Sequence, residues 1–277
     1  MRKLPTKLLV TVLGLLMVLP AASAAASGSE QQERPARPLK VMSYNIHHGA
    51  GTDGVLDLER IARVIENSGA DLIGLQEVDR HWSERSNWVN QPAWLAARLK
   101  MHYAYAANLD LPPLNPGEPR RQYGTAVLSK TPIKHFENTL LPKYPTGEQR
   151  GLAVATTKIR GIDLRFANTH LTHNNNAERL EQAQKVAELL AGSKVPTFVV
   201  GDLNARPTAP EITTLTKIWR DTWAEVGAGP GYTSPTGNPA ARIDYLLHSS
   251  KIEPVSAEVL TTIASDHLPV VATYLLR

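Results

Sequence analysis

Short polar side chains stand where apolar segments of this chain begin or end. The pair Asp266-His267 precedes the last apolar segment, and both side chains titrate at pH values that are useful in catalysis. The other polar positions use the same few residue types: Asn45, Glu77, Asn168, His170, Asp202, Asn204 and Asp244. Polar residues at strand ends are the usual way in which a scaffold directs chemistry into a cleft. The pattern therefore predicts one polar site assembled from distant parts of the sequence.

The chemistry of these side chains favours metal-assisted hydrolysis of a phosphate ester. Carboxylates and carboxamides suit a hard cation, Mg²⁺ or Mn²⁺, and the chain contains no cysteine that would supply a thiolate. Histidines add proton transfer and contacts to phosphoryl oxygens. The alternative is a zinc site in the pairs His47-His48 and His170-x-x-His173. Neither an H-E-x-x-H motif nor a cysteine ligand supports it.

Alternating strand and helix patterns must position these side chains. Asp57 is the predicted N-cap of a helix with Ile61 and Ile65 on its apolar face. Further helices are predicted over 91–99, 174–191 and part of 207–219, and strands over 39–45, 71–76, 123–129, 133–140, 152–159, 162–168, 197–200, 243–248, 255–260 and 268–275. In this scheme Glu77 ends the second strand, and Asn204 shares a face with Asp202 on extended chain.

The two halves of the chain repeat one coarse order of strand, polar residue, helix, apolar strand and acidic residue. Asn45 and Glu77 frame the first unit, and His170 and Asp202 frame the second. A chain of 277 residues is long enough for one large domain with a well-buried core. Together these features predict an α/β fold with two packed sheets and helices outside them.

The N-terminus has the features of a secretory signal peptide. Arg2, Lys3 and Lys7 precede an apolar run over 8–19 and an A-x-A cleavage site. An uncleaved anchor is the alternative, but the run is shorter than the about 20 residues that span a bilayer. We expect residues 1–24 to be removed after Ala24 or Ala26, residues 25–38 to be a disordered leader and residues 39–277 to form the domain.

Removal of this segment changes the charge of the protein. The net charge falls from +4 to +1, because residues 1–24 hold three basic residues and no acidic ones. The mature chain therefore has no global charge that demands a nucleic acid partner. We expect a secreted, extracytoplasmic monomer without a stable membrane span after cleavage.

Seven segments in order resemble the motif series of the endonuclease/exonuclease/phosphatase superfamily, the deoxyribonuclease I-like fold. They are SYNIHHG, LQEVDR, QYGTAVLS, NTHL, GDLNARP, RIDYLL and SDHLPV, and they span nearly the whole region after residue 38. The resemblance implies a four-layer sandwich of two mixed, mainly antiparallel sheets flanked by helices. It also implies hydrolysis of phosphodiesters or phosphomonoesters with a divalent metal.

The resemblance also implies a role for each polar residue. Glu77 matches the principal metal ligand, with Asn45 beside it and Asp266 as a further ligand or an orienting residue. Asp202 matches the carboxylate that orients or deprotonates the attacking water, and Asn204 reaches the same phosphoryl group. The remaining matches are phosphate contacts: His267 held by Asp244, the second histidine His170, Tyr123 and Arg150.

Two long segments, 79–91 and 110–121, are predicted to form the rim of the cleft and to select the substrate. Trp82 and Trp88 are candidates to stack on a base, a sugar or a lipid headgroup, or to anchor the first segment on the body. The expected partner is a phosphate ester, and our first hypothesis is an endonuclease. The alternatives are a phosphodiesterase or phosphatase acting on small molecules or phospholipids, as a sphingomyelinase does, and a binding module that has lost its activity.

Overall fold

Two six-stranded β-sheets form the centre of the computed structural model, which describes residues 1–6, 9 and 37–276. The chain divides into two units, Met1–Arg34 and Pro35–Arg277. Apart from residues 1–6 and 9, the predicted signal peptide lies outside the described residues, and so does the leader as far as residue 36. The end of the predicted leader belongs to the first strand, which begins at Arg37 and pairs Pro38 with Leu275. Within the described residues, no helix is long and apolar enough to cross a membrane.

The first sheet has the strand order β11-β12-β1-β2-β4-β3. Its strands are β1 (Arg37–Asn45), β2 (Leu72–Arg80), β3 (His102–Leu111), β4 (Arg121–Ser129), β11 (Glu253–Val259) and β12 (Val270–Leu276). The helices α1 (Leu58–Ser68) and α2 (Gln91–Leu99) pack on its outer face through the Ile61 and Leu95 side chains. The predicted N-cap is confirmed, since the Asp57 carboxylate accepts a hydrogen bond from Arg60 N–H at 2.9 Å.

The second sheet has the strand order β5-β6-β7-β8-β10-β9. Its strands are β5 (Ile133–Leu140), β6 (Gly151–Ile159), β7 (Ile162–His170), β8 (Thr197–Asp202), β9 (Arg220–Asp221) and β10 (Asp244–His248). The outer face is covered by α3 (Asn176–Leu190) and α4 (Pro210–Thr216), and a short helix α5 (Thr222–Val226) follows β9. In each sheet all strand pairs are antiparallel except one, β1 with β2 and β7 with β8. The predicted four-layer sandwich of mixed, mainly antiparallel sheets is confirmed.

The inner faces of the two sheets bury a common apolar core. Val41 and Leu72 of the first sheet pack with Phe166 and Phe198 of the second, and all four side chains are fully buried. Asn168 adds a polar tie between the sheets: its amide nitrogen donates to the carbonyl oxygens of Leu75 and Ala126, both at 2.9 Å. Burial in this layer holds the sheets face to face and so fixes the relative positions of their strand ends.

Candidate active site

The two parallel strand pairs bring four of the predicted residues to one end of the sandwich. Asn45 ends β1 and His170 ends β7, while Glu77 and Asp202 lie near the ends of the parallel partners β2 and β8. The Asn45 amide nitrogen donates to Glu77 Oε1 at 3.0 Å and to Asp202 Oδ2 at 3.1 Å. One carboxamide therefore connects an acidic residue of the first sheet to an acidic residue of the second.

Asp202 is the buried centre of this arrangement. Its side chain is almost fully buried, and its Oδ2 lies 3.5 Å from His170 Nε2 and 3.7 Å from His267 Nε2. Burial, followed by the negative charge of Asp244, raises the pKa of Asp202 to about 7, although His267 and the Asn45 hydrogen bond act against the shift. A carboxylate that ionises near neutral pH is suited to accept a proton from water.

His267 is held by a carboxylate, as the sequence predicts. His267 Nδ1 lies 2.9 Å from Asp244 Oδ2, and both side chains are buried. Burial lowers the pKa of His267, but the carboxylates of Asp244 and Asp202 outweigh it and raise the pKa to about 10. His267 is therefore an imidazolium at neutral pH.

The pair Asp266-His267 lies in a bend before the last strand, which starts at Val270 and not at Leu268 as predicted. Ser265 fixes the chain locally in this bend. Its hydroxyl donates to the Asn45 carbonyl at 2.8 Å and accepts from His267 N–H at 3.2 Å. The bend, tied to the end of β1, places the imidazole in the site.

His170 and Arg150 form a second buried group beside Asp202. Arg150 Nη1 lies 3.1 Å from His170 Nδ1, and since a guanidinium only donates, Nδ1 accepts and Nε2 carries the proton of the neutral imidazole. Burial and the Arg150 charge lower the pKa of His170, which keeps the ring neutral. Arg150 also pairs with Glu148 Oε1 at 2.8 Å and is 4 % exposed, so it is not a solvated surface residue.

Asn204 reaches the site by a turn and not along an extended strand. The strand β8 ends at Asp202, and Asn204 has a left-handed backbone with φ of 49°. Its N–H donates to Asp202 Oδ1 at 3.0 Å, and its amide nitrogen donates to the Leu171 carbonyl at 3.0 Å and lies 3.1 Å from His170 Nε2. The prediction of a common strand face is wrong, but the two side chains still converge, because the turn closes through that backbone hydrogen bond.

Glu77 sits on a β-bulge inside β2, and the prediction that it ends the strand is wrong. Leu75 pairs with Ala126 and Val78 pairs with Gly124, so two residues of β2 oppose a single residue of β4. Glu77 takes a φ of 57° in this bulge. The extra residue turns its carboxylate toward Asn45, while the strand continues to Arg80.

The sequence itself matches the model of the Endonuclease/Exonuclease/phosphatase family over residues 42–267. This region contains every residue of the site described above. The chain belongs to the endonuclease/exonuclease/phosphatase family. Members of this family are hydrolases that act on phosphate ester bonds and depend on a divalent metal, and this protein is one of them. The main residues of the site are all present, which argues against the alternative of a binding module without activity.

Known structures and relatives agree with this assignment. An endonuclease/exonuclease/phosphatase from Beutenbergia cavernae DSM 12333 superposes with a TM-score of 0.72 at 29 % identity, covering 87 % of this chain and 72 % of that one. A mannosyl-6-phosphatase from Bacteroides thetaiotaomicron gives 0.69 at 20 % identity, over 86 % of this chain and 100 % of that one. The 5'-tyrosyl-DNA phosphodiesterase of Caenorhabditis elegans is 26 % identical over 75 % of this chain, which spans about half (53 %) of that protein.

The donor set around Glu77 fits the divalent cation that the family requires. A ligand nitrogen from each of His47 and His48 and a carboxylate oxygen of Glu77 lie within 4.8 Å of one another. Asn45 turns its amide nitrogen toward Glu77, because its oxygen accepts from His47 N–H at 3.1 Å. Asp266 Oδ1 lies 3.9 Å from His47 Nδ1. His47 and His48 thus lie beside Glu77 together with the predicted ligand Asn45.

Tyr123 forms part of the wall between the site and the rim. Its buried ring lies 5.8 Å from the Trp82 ring, and the Arg85 guanidinium lies 5.3 Å from the centre of the tyrosine ring. Two hydrogen bonds of 2.9 and 2.7 Å hold Arg85 on the buried Asp79 carboxylate. Burial raises the pKa of the Tyr123 hydroxyl, which stays protonated and can donate a hydrogen bond.

Trp88 lies apart from this stack and belongs to a cavity between the two rim segments. The cavity has a volume of about 380 Å³ and is lined by His81, Trp88, Leu114, Asn115, Glu118 and Pro119. Strand β3 runs to Leu111 and β4 begins at Arg121, so the second rim segment is three residues shorter than predicted. The two tryptophans therefore have different surroundings, and only Trp82 stacks next to Tyr123.

Sequence reasoning missed the positions of three polar residues. His47 and His48 were assigned only to a zinc alternative, although the motif SYNIHHG places them two and three residues after Asn45. No role was predicted for Arg85, which is one of several basic residues in the first rim segment, 79–91. The signal for Arg85 is Asp79, because an acidic residue in a buried strand needs a cationic partner.

Proposed function

We propose that this protein is an exported nuclease that hydrolyses phosphodiester bonds within nucleic acid chains, with Mg²⁺ or Mn²⁺ as the cofactor. The observation that carries the proposal is the constellation around Asp202. A buried carboxylate with a pKa of about 7 lies between a neutral imidazole and an imidazolium, and Asn45 connects it to the carboxylate of Glu77. This arrangement contains a base for water and a cationic partner for phosphate.

The charge of each residue determines its role in the proposed hydrolysis. Asp202 accepts the proton of the attacking water, and the His267 imidazolium neutralises charge on the phosphoryl oxygens. Asp244 keeps His267 protonated, and the Nε2–H of His170 supports the Asp202 carboxylate. A divalent cation supplies further neutralisation of the phosphate charge in the transition state.

The wall beside the site supports nucleic acid as the substrate. Trp82 and Tyr123 offer aromatic rings next to the cationic Arg85, and bases of any sequence stack on such rings. The near-neutral domain favours weak, sequence-independent contacts over tight binding to a duplex. Export, supported by the signal-peptide pattern of residues 1–24, suits an enzyme that degrades nucleic acid outside the cell.

A second candidate is hydrolysis of a small phosphate ester, such as a sugar phosphate or a phospholipid headgroup. The supporting observation is the rim cavity of about 380 Å³, which has the size of a small-molecule pocket. The mannosyl-6-phosphatase among the structural relatives acts on an ester of this kind. In this case the cavity, and not the Trp82 stack, selects the substrate.

One substrate panel separates the two candidates. Supercoiled plasmid, single-stranded DNA, RNA, bis-p-nitrophenyl phosphate, mannose 6-phosphate and sphingomyelin are each incubated with Mg²⁺, Mn²⁺ or EDTA. The proposal predicts metal-dependent nicking of the closed plasmid or cleavage of RNA. Nicking of the plasmid identifies an endonuclease, because a closed circle has no end at which an exonuclease could start. Turnover confined to mannose 6-phosphate or sphingomyelin would contradict the nuclease and favour the second candidate. The variant Asp202→Asn is tested on the same panel. Its matched control is Asp163→Asn, a change at an exposed surface acid.

A further inference from the structure

His47 and His48 are adjacent histidines that aim at the same carboxylate. One ligand nitrogen of each and one Glu77 oxygen lie within 4.8 Å of one another, and the two rings are 4.5 Å apart and inclined by 64°. Ligands of a tetrahedral zinc ion, bound at about 2.0–2.2 Å, lie roughly 3.3–3.6 Å apart. The three groups are within 4.8 Å of one another, so side-chain shifts on the order of 1 Å bring them to the spacing of one coordination shell.

The backbone of these three residues is strained. His47 and His48 each have φ of 45°, and Glu77 has φ of 57°. Residues with a β-carbon rarely occupy this left-handed region, and each costs on the order of 1–3 kcal/mol. Such conformations persist where the surrounding structure imposes them, and they concentrate at functional sites. Here three residues in this conformation bring their side chains within 4.8 Å of one another.

Hydrogen bonds of the Gln91 side chain and of the His47 ring hold this backbone conformation. Gln91 is fully buried; its amide nitrogen donates to the His48 carbonyl at 2.6 Å, and its oxygen accepts from Asp79 N–H at 2.9 Å. This side chain fixes the His-His turn to the strand that carries Glu77. His47 Nδ1 lies 3.2 Å from the Ala50 carbonyl, which is the backbone contact that orients many metal-binding histidines.

We propose that His47, His48 and Glu77 bind a late first-row divalent metal of the Zn²⁺ type through two imidazole nitrogens and one carboxylate. Imidazole is a good ligand for Zn²⁺, Ni²⁺ and Cu²⁺, whereas Mg²⁺ takes oxygen ligands almost entirely. The two histidines thus add affinity for a Zn²⁺-type ion at Glu77 to the Mg²⁺ or Mn²⁺ binding of the proposed function. The inference does not depend on the identity of the phosphate ester, since metal binding is measured without any substrate.

The test compares the affinities of two probe metals. Full-length protein stripped with a chelator is titrated with Co²⁺, followed by visible absorption, and separately with Mg²⁺, followed by calorimetry. The variants are His47→Ala, His48→Ala and, as the control, His102→Ala at an exposed position on β3. Each of the first two changes is expected to weaken Co²⁺ binding at least ~10-fold. Mg²⁺ affinity should stay within ~2-fold in all three, and His102→Ala should leave Co²⁺ binding unchanged.

Two outcomes overturn the proposal. The first is wild-type Co²⁺ affinity in both His47→Ala and His48→Ala; the second is an equal loss of Co²⁺ and Mg²⁺ affinity, which indicates general damage to the Glu77 region. Far-UV circular dichroism identifies a variant that has not folded. In that case, imidazole NMR spectra of the wild-type chain decide the question. Substoichiometric Co²⁺ must perturb the His47 and His48 resonances before those of exposed His102, and equal effects on all three contradict the site.

Discussion

Replacing Asp244 by Asn keeps the shape of the side chain and removes one buried charge from the site. His267 Nδ1 lies 2.9 Å from Asp244 and Nε2 lies 3.7 Å from Asp202, and although burial opposes them, these carboxylates raise the pKa of His267 from 6.5 to about 10. Since one pKa unit corresponds to about 1.4 kcal/mol, the imidazolium is favoured by roughly 5 kcal/mol over that of a free histidine. Asp244 is the larger of the two contributions.

Asp244→Asn should therefore lower the pKa of His267 by at least about 2 units. The same change removes a charge that raises the pKa of Asp202 above its ordinary value, so both pKa values move down together. The rate of the wild-type enzyme should rise as Asp202 ionises near pH 7 and fall as His267 loses its proton near pH 10. In the variant both limbs of this profile should shift to lower pH, and kcat/KM at pH 9 should fall at least about 10-fold, because a His267 pKa near 8 leaves about a tenth of the rings protonated at that pH.

The sign of the stability effect follows from the same pKa. A raised pKa of His267 stabilises the fold fully below pH 6.5, and this contribution is lost as the pH rises through about 10. The assay is the pH–rate profile with bis-p-nitrophenyl phosphate, together with imidazole NMR titration of His267. The exposed substitution Asp163→Asn should leave both measurements unchanged. A His267 pKa that stays near 10 in Asp244→Asn, or unshifted limbs, would refute the reasoning.

Three further substitutions test separate parts of the structure. Glu77→Gln should raise the metal concentration for half-maximal activity at least ~10-fold while thermal unfolding stays near that of the wild type, since only a ligand charge is removed. Asn168→Ala should lower the free energy of unfolding by roughly 3 kcal/mol in urea titrations, because it leaves buried carbonyls of both β2 and β4 unpaired. Gly201→Ala should lower Tm and activity, because its φ is 147° and a β-carbon would clash with the Thr169 carbonyl oxygen. Gly237→Ala, where the space is open, should be neutral in the same assays.

Local signals in the sequence were sufficient for most helices and strands. Helix α1 begins after Asp57, as its capping position predicts, and the predicted bounds of α2 and β5 coincide with those of the structure. Apolar periodicity and capping act over a few residues, so they can be read directly from the chain. The order of the seven motifs correctly predicted the family and its sandwich fold.

Features that depend on distant partners could not be predicted in this way. The bulge at Glu77 arises from the pairing of β2 with β4, about fifty residues away, and the bend at Asp266 depends on a hydrogen bond between Ser265 and Asn45. Strand β3 was not predicted because its sequence contains short and polar residues on both faces, and its pairing with β4 decides its conformation. The left-handed histidines are likewise held by Gln91, more than forty residues further along the chain.

We propose that this protein hydrolyses a phosphodiester with a water molecule activated by Asp202 in the presence of a divalent metal. The most direct measurement is turnover of bis-p-nitrophenyl phosphate by the wild type and by Asp202→Asn, each with Mg²⁺, Mn²⁺ or EDTA. We predict metal-dependent turnover in the wild type that EDTA abolishes, and a loss of at least ~10³-fold in Asp202→Asn with an unchanged circular dichroism spectrum. Turnover that persists in EDTA, or an Asp202→Asn variant within a few-fold of the wild type, would contradict the account.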